Sequence, residues 1–182
     1  DPFGILWTPA GASPALAAPP CPAADCFGMG DPCLLAEPGG GWSMWYTAGG
    51  TGGGPFLMRA SVSSGLVPTQ SPATPVLPIA APGTWDRFVE TPSVVRDSTD
   101  RHLWMTYLGY ADTGYVAPAI GLMRSNDTLG IDWARPAAPI YRPPPGGWDA
   151  ALVTGPNLVR APGGEWRIYY TGAGTTVGIG LL

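Results

Sequence analysis

The sequence is short of charge and of the side chains that bind metals or nucleic acids. Only 12 % of its 182 residues are charged; the 9 basic residues are all arginine, set against 13 acids, and there is 1 histidine. The arginines are scattered among the acids and form no stripe, and the net charge is −4, so a nucleic acid partner is not expected. His102 and three clustered cysteines leave no fourth ligand at tetrahedral zinc spacing, and no metal site is expected. Long apolar runs are also missing. Residues 2–24 carry no charge, but six prolines interrupt them and no basic segment precedes them, which fits neither a membrane span nor a signal peptide. Helix is excluded by the 23 prolines, since each one inside a helix costs roughly 3 kcal/mol, and the proline-free stretches are broken by Gly or by turns such as Asp97-Ser98-Thr99-Asp100.

What the chain does have is 27 glycines beside those prolines, 8 tryptophans, 7 tyrosines and a 45 % apolar fraction. That apolar surface is enough for a core, so the Gly and Pro punctuate strands and the fold class is all-β. Cys21, Cys26 and Cys33 fall within thirteen residues. Such a cluster points to an oxidising compartment, and hence to a secreted, cell-surface or periplasmic protein; Cys21 and Cys26 can pair across a short loop, and an odd count leaves one thiol free.

Three apolar segments recur in order. Gly41 to Thr47, Leu103 to Leu108 and Trp166 to Thr171 place Tyr46, Tyr107 and Tyr170 at intervals of 61 and 63 residues. Before each stands a proline with an apolar pair: Pro32 with Leu34-Leu35, Pro92 with Val94-Val95, Pro156 with Leu158-Val159. Asp25, Trp85-Asp86 and Trp148-Asp149 lie upstream at matching places, and that recurrence argues for one shared structural job. Each unit predicts a meander of three or four strands of about five residues. The strands are apolar on both faces, which radially stacked sheets cover and a sandwich does not. A β-propeller of four-stranded blades is expected, with units near 1–61, 62–125 and 126–182 in a single partial domain. Propellers close with about four to eight blades. Three units, an opening Asp1 and the matches of Asp1, Gly4 and Trp7 to Asp127, Gly130 and Trp133 lead to the expectation of a portion of a longer propeller, or of self-association that completes the ring.

These units resemble the five-bladed propeller glycosidases, the superfamily that includes glycoside hydrolase families 43, 32 and 130, through Trp85-Asp86, Pro92 to Val95, Trp166 to Gly172 and Ile120 to Trp133. The resemblance implies three acids from innermost strands: an Asp base, an Asp that orients the sugar and stands directly before a proline, and a Glu acid two residues before one. Asp31-Pro32 and Glu90-Thr91-Pro92 have those two forms, whereas Thr154-Gly155-Pro156 has no acid. By the same resemblance the base belongs to the blade before Asp31 and is expected to be absent. Glycoside hydrolysis needs one carboxyl group to protonate the leaving oxygen and another to activate water or attack. A neighbouring carboxylate such as Asp31 would help keep Glu90 protonated through like-charge repulsion.

The implied function is general acid/base hydrolysis of a glycan or oligosaccharide with no organic cofactor, a structural calcium ion remaining open. Trp104 and Trp45 become sugar-stacking candidates if they turn toward the channel, though core is their plainer reading. Glu90 also reads as a strand-start residue paired with Arg87, and Asp31 as a turn initiator. Ser125 to Trp133 resembles the Asp-box of sialidases, in which Asp127 would be scaffold, and His102 reads as solvent-exposed. A non-catalytic propeller binding carbohydrate or protein is the alternative. A sialidase-like enzyme is a third reading, and it requires an arginine cluster in the channel.

Overall fold

The computed structural model describes residues 16–63, 68–70 and 72–182, so Asp1, Gly4 and Trp7 lie outside the described residues. The first sheet contains β1 (Gly28–Ala36), β2 (Trp42–Gly49), β3 (Pro55–Val62) and β4 (Pro68–Gln70) in that order. The second contains β5 (Phe88–Arg96), β6 (Leu103–Tyr110) and β7 (Ala119–Arg124), and the third β8 (Leu152–Arg160), β9 (Trp166–Ala173) and β10 (Val177–Leu181). All three are antiparallel meanders, and none of the described residues is helical. Seven strands reach 8 or 9 residues, longer than the sequence periodicity predicts, because pairing runs on into flanking Gly and Ala positions. Among the described residues only the first sheet has a fourth strand. In the second the fourth position is reduced to bridges, Ile120 to Tyr141 and Ser125 to Trp133. The segment between them holds Pro136 and Pro139, and proline has no N–H to give a ladder.

The proline of each innermost strand sits at a bulge. Register shifts fall between Gly30 and Cys33, Glu90 and Ser93, and Thr154 and Asn157, so two residues of the inner strand oppose one of its neighbour. The single residues opposite are Tyr46, Tyr107 and Tyr170. In each bulge the residue before proline is left-handed: Asp31 at φ 49°, Thr91 at 51° and Gly155 at 56°.

Those tyrosines explain the recurring aspartates. The phenols of Tyr46, Tyr107 and Tyr170 donate to Oδ2 of Asp25, Asp86 and Asp149 at 3.1, 2.8 and 2.8 Å, and the three carboxylates are at most 1 % exposed. Burial is the main cause that raises all three phenols well above the ordinary tyrosine range, and the adjacent carboxylate adds in the same direction, which keeps them protonated as donors. Each carboxylate has a second partner from a connecting segment: Gln70 for Asp25, Arg135 for Asp86 and Tyr141 for Asp149. Opposite Tyr107 and Tyr170 stand Gly121 and Gly180, where a Cβ would run into the tyrosine ring.

The sheets stack face to face. Trp45 and Leu57 of the first pack against Met105 and Tyr107 of the second; Ile120 and Trp104 of the second pack against Leu158 and Ile168 of the third. Polar links repeat with the stacking. The Val94 amide donates to Cys33 Sγ at 3.2 Å, and one sheet further on the Leu158 amide donates to Ser93 Oγ at 2.9 Å. The ion pairs Arg96 to Glu37 (2.7 Å) and Arg160 to Asp97 (3.4 Å) repeat in the same way. Ile179 matches Leu57 and Ile120 in register, yet it is 71 % exposed where they are wholly buried. On the opposite side of the stack, Leu34 is 49 % exposed while its counterparts Val94 and Leu158 are buried.

Asp127 is scaffold. Its carboxylate accepts from the amides of Leu129, Gly130 and Asp132 at 2.6 to 2.8 Å, and the turn seats Trp133 between sheets, where both Trp133 and Trp45 donate to the Gly130 carbonyl at 2.9 Å. Burial pushes the Asp127 carboxyl up, but the amides of Asp132, Leu129, Ile131 and Gly130 outweigh it and hold the group below its ordinary range. Cys21 and Cys26 form a disulfide with Cα atoms 5.1 Å apart, and Cys33 is free. His102 departs from expectation: it is half-buried, its Nδ1 2.9 Å from the Ser125 carbonyl, because the Asp97 to Arg101 turn folds it back onto the hairpin.

Tyr107→Phe strips a donor from buried Asp86 and is expected to lower stability by about 1 to 3 kcal/mol in urea unfolding; an unchanged midpoint would contradict the shared role of the three pairs. Asp127→Asn is expected to cost roughly 1 kcal/mol near neutral pH. Because the folded carboxyl is depressed, its contribution is present above the unfolded value and fades as pH falls through the folded one. The gap between variant and parent therefore narrows below about pH 4, which pH-dependent denaturation would measure.

Candidate active site

The three inner strands meet around one cavity of about 280 Å³, lined by matching trios: Asp31, Pro32 and Cys33 from β1; Thr91, Pro92 and Ser93 from β5; Gly155, Pro156 and Asn157 from β8. The bulges produce this convergence, since an unpaired proline and a left-handed residue turn the backbone away from its own ladder toward the axis. Asp31 is exposed on this lining. Thr91 is a β-branched residue in the left-handed region, its amide donates to Thr47 Oγ1 at 2.9 Å, and its own Oγ1 is buried with no partner among the described residues. Glycine fills the equivalent place in β8 without strain. Strain retained at Asp31 and Thr91 but absent at Gly155 is of the kind that functional positions keep. The Cys33 thiol is pushed up by burial, although the Val94 backbone draws it partly back.

Glu90 precedes Thr91 and is held at both oxygens. The Tyr110 phenol donates to Oε1 at 2.7 Å and the Tyr115 phenol to Oε2 at 3.2 Å. Burial, followed by Glu90 itself, raises both phenols, and Asp31 contributes to the field on Tyr115. Glu90 and Asp31 therefore both act on the Tyr115 phenol, and Glu90 adjoins Thr91 of the cavity lining. Arg87 does not pair with Glu90; it stacks on Phe88 and lies 3.8 Å from Asp112.

The two tryptophans are elsewhere. Trp45 is wholly buried between the first and second sheets, so it has no face to offer a sugar. Trp104 pairs with Val95 while Glu90 pairs with Leu108, four residues along β6 and so about 13 Å away. Its ring lies against Trp166, at the edge of a small apolar cleft with Leu158 and Ile168. Inter-sheet stacking claims both rings before a channel can. The residues that sequence reasoning missed are Tyr110 and Tyr115. Their signal was the Tyr110 to Tyr115 hairpin, which has no aromatic counterpart in the other two units. Among the described residues no group of His, Cys, Asp or Glu could hold a metal ion, and the cavity lining includes no arginine.

No protein-family model and no curated protein matches the chain. Solved structures do. The structure of a BT0996 RGII complex superposes with a TM-score of 0.68 at 17 % identity over 88 % of this chain and 55 % of that one. Zg3597, a family 117 glycoside hydrolase from the marine bacterium Zobellia galactanivorans, gives 0.67 at 15 % over 84 % and 50 %; a thermostable family-43 glycoside hydrolase gives 0.61 at 17 % over 84 % and 53 %. The chain has the fold of the five-bladed glycoside hydrolase propellers. At these identities the likeness is one of fold, and the chain spans about half the length of the structures it matches. Within this propeller fold the β1, β5 and β8 bulges are axial, in keeping with Asp31 and Thr91 on the cavity lining.

Thr91→Gly is expected to raise stability by roughly 0.5 to 1 kcal/mol by releasing the left-handed strain, read from chemical denaturation; a destabilised variant would show that Thr91 is not strained in place.

Proposed function

We propose that these three blades supply the acid side of a glycan-hydrolysing site, with Glu90 as general acid and Asp31 as the carboxylate that orients the sugar. The observation that carries this reading is Glu90 held by two phenols beside an axial cavity that Asp31 lines. In hydrolysis Glu90 gives its proton to the glycosidic oxygen as the bond to the anomeric carbon breaks, the electron pair staying on that oxygen, while the oxygen of water takes its place on the carbon. The base that takes the water proton is assigned to a further blade. The uncovered face of the first sheet, with Leu34 exposed, suits such a neighbour. The Cys21–Cys26 disulfide supports a secreted or cell-surface setting, and no helix among the described residues is long and apolar enough to cross a membrane.

Asp31 is the only carboxylate in the cavity lining among the described residues, and that observation favours a second reading, a propeller that binds carbohydrate or protein without turning it over. Aryl glycosides and polysaccharides assayed with the protein and with Glu90→Gln separate the two. A loss of about 10²-fold or more on substrates with poor leaving groups is expected. Equal turnover by both forms would remove Glu90 from the mechanism, and glycan binding without turnover would favour the second reading.

A further inference from the structure

The two oxygens of Glu90 keep different company. Oε1 is tied to Tyr110, which is 4 % exposed and packs on Phe88 with ring centroids 5.7 Å apart, beside Leu108. That phenol is fixed by the core of the second sheet. Oε2 is tied to Tyr115, which is 46 % exposed at the tip of the β6–β7 hairpin, next to Val116 at 52 %. The tip is strained: Gly114, Tyr115 and Ala117 have φ of 82°, 60° and 52°, and two of these are not glycine. A single bridge, Asp112 to Val116, closes it, and the Arg87 to Asp112 contact at 3.8 Å braces its base. The Tyr115 ring leans on Tyr110 with centroids 4.8 Å apart, so its hydroxyl reaches Glu90 from the solvent side.

Resting on the reading of Glu90 as the acid, we propose that the Tyr115 hydroxyl is a placeholder for the glycosidic oxygen on Glu90 Oε2, displaced when substrate binds, while Tyr110 is a positioning residue that keeps Oε1 fixed throughout. The chemistry favours this division. A proton-delivering carboxyl group needs one oxygen anchored and the other open to the leaving group, and here the buried phenol anchors while the exposed one blocks. In the acid form Oε2–H is the donor, to the Tyr115 oxygen at rest and to the glycosidic oxygen in the complex, so exchanging one acceptor oxygen for another keeps Oε2 hydrogen-bonded in both states. Left-handed strain at Tyr115 and Ala117 lowers the cost of swinging the tip away. Asp31, whose charge acts on Tyr115, lines the cavity.

The two tyrosines then make opposite predictions. On aryl glycosides of the sugar that the protein turns over fastest, Tyr115→Phe is expected to lower KM about fivefold with kcat nearly unchanged, since one competing hydrogen bond is gone. Tyr110→Phe is expected to leave KM unchanged and to lower kcat about tenfold or more for a poorly acidic phenol or alkyl leaving group. The same variant should have little effect with a dinitrophenyl leaving group, which departs without protonation. A raised KM in Tyr115→Phe would make the ring a sugar contact and overturn the placeholder role. A Tyr110→Phe loss equal for all leaving groups would overturn the positioning role in favour of plain destabilisation. If, in the full-length protein that carries the base, Glu90→Gln turns over every substrate as the parent does, or no substrate is turned over at all, the underlying acid assignment fails first and takes this proposal with it.

Discussion

Proline has no backbone donor, and one proline stands in the middle of the innermost strand of each of the three sheets among the described residues. The ladder must skip there, and it skips in the same way three times, with a left-handed residue before the proline and a tyrosine on the neighbouring strand opposite the gap. The tyrosine, freed from a tight cross-strand neighbour, extends to a buried aspartate and anchors the segment that enters the sheet. The bulge also aims the residues beside it at the common axis. Were these strands regular, neither the cavity nor the tyrosine–aspartate pairs would have their present geometry.

Stacking follows from the same point. The residue after each proline, Cys33 or Ser93, accepts an amide from the next inner strand, which fixes the rotation between neighbouring sheets. Aromatic and branched side chains then fill the wedge: Trp45 and Leu57 in one gap, Trp104 and Ile120 in the next. Asn157 holds that place in the third sheet and is exposed, as are Ile179 and Leu181 beyond it. Stability in such an arrangement is a sum of sheet and neighbour terms. The end sheets, with a face uncovered among the described residues, are accordingly the weakest part of the stack.

Glu90 sits where this rigid frame meets a strained hairpin. The frame supplies Tyr110 and Asp31, and the hairpin supplies Tyr115. The division is physically sensible, because a group that delivers a proton needs a fixed direction and a group that screens it must be able to leave.

The sequence by itself determined the all-β class, the repeat, the strand order within each unit and the scaffold role of Asp127, and it offered Cys21 and Cys26 as a pair that the structure joins. All of these depend on local pattern: proline spacing, alternation, and a side chain satisfying amides a few residues away. It also marked Asp31 and Glu90 for attention through the residues that follow them. Tertiary structure alone decided which aromatic rings face a neighbour and which face a cavity. Trp45 and Trp104 looked available because a strand shows both faces equally in sequence, but stacking buries Trp45 and packs the half-buried Trp104 against the third sheet. Within the second sheet, the Asp97 to Arg101 turn folded His102 back onto its hairpin, and the β6–β7 tip brought Tyr115, twenty-five residues away in the sequence, to within 3.2 Å of Glu90. Such contacts are set by the rotation of one sheet against the next and by the fold of a hairpin tip, and neither leaves a periodic trace in the residues that make it.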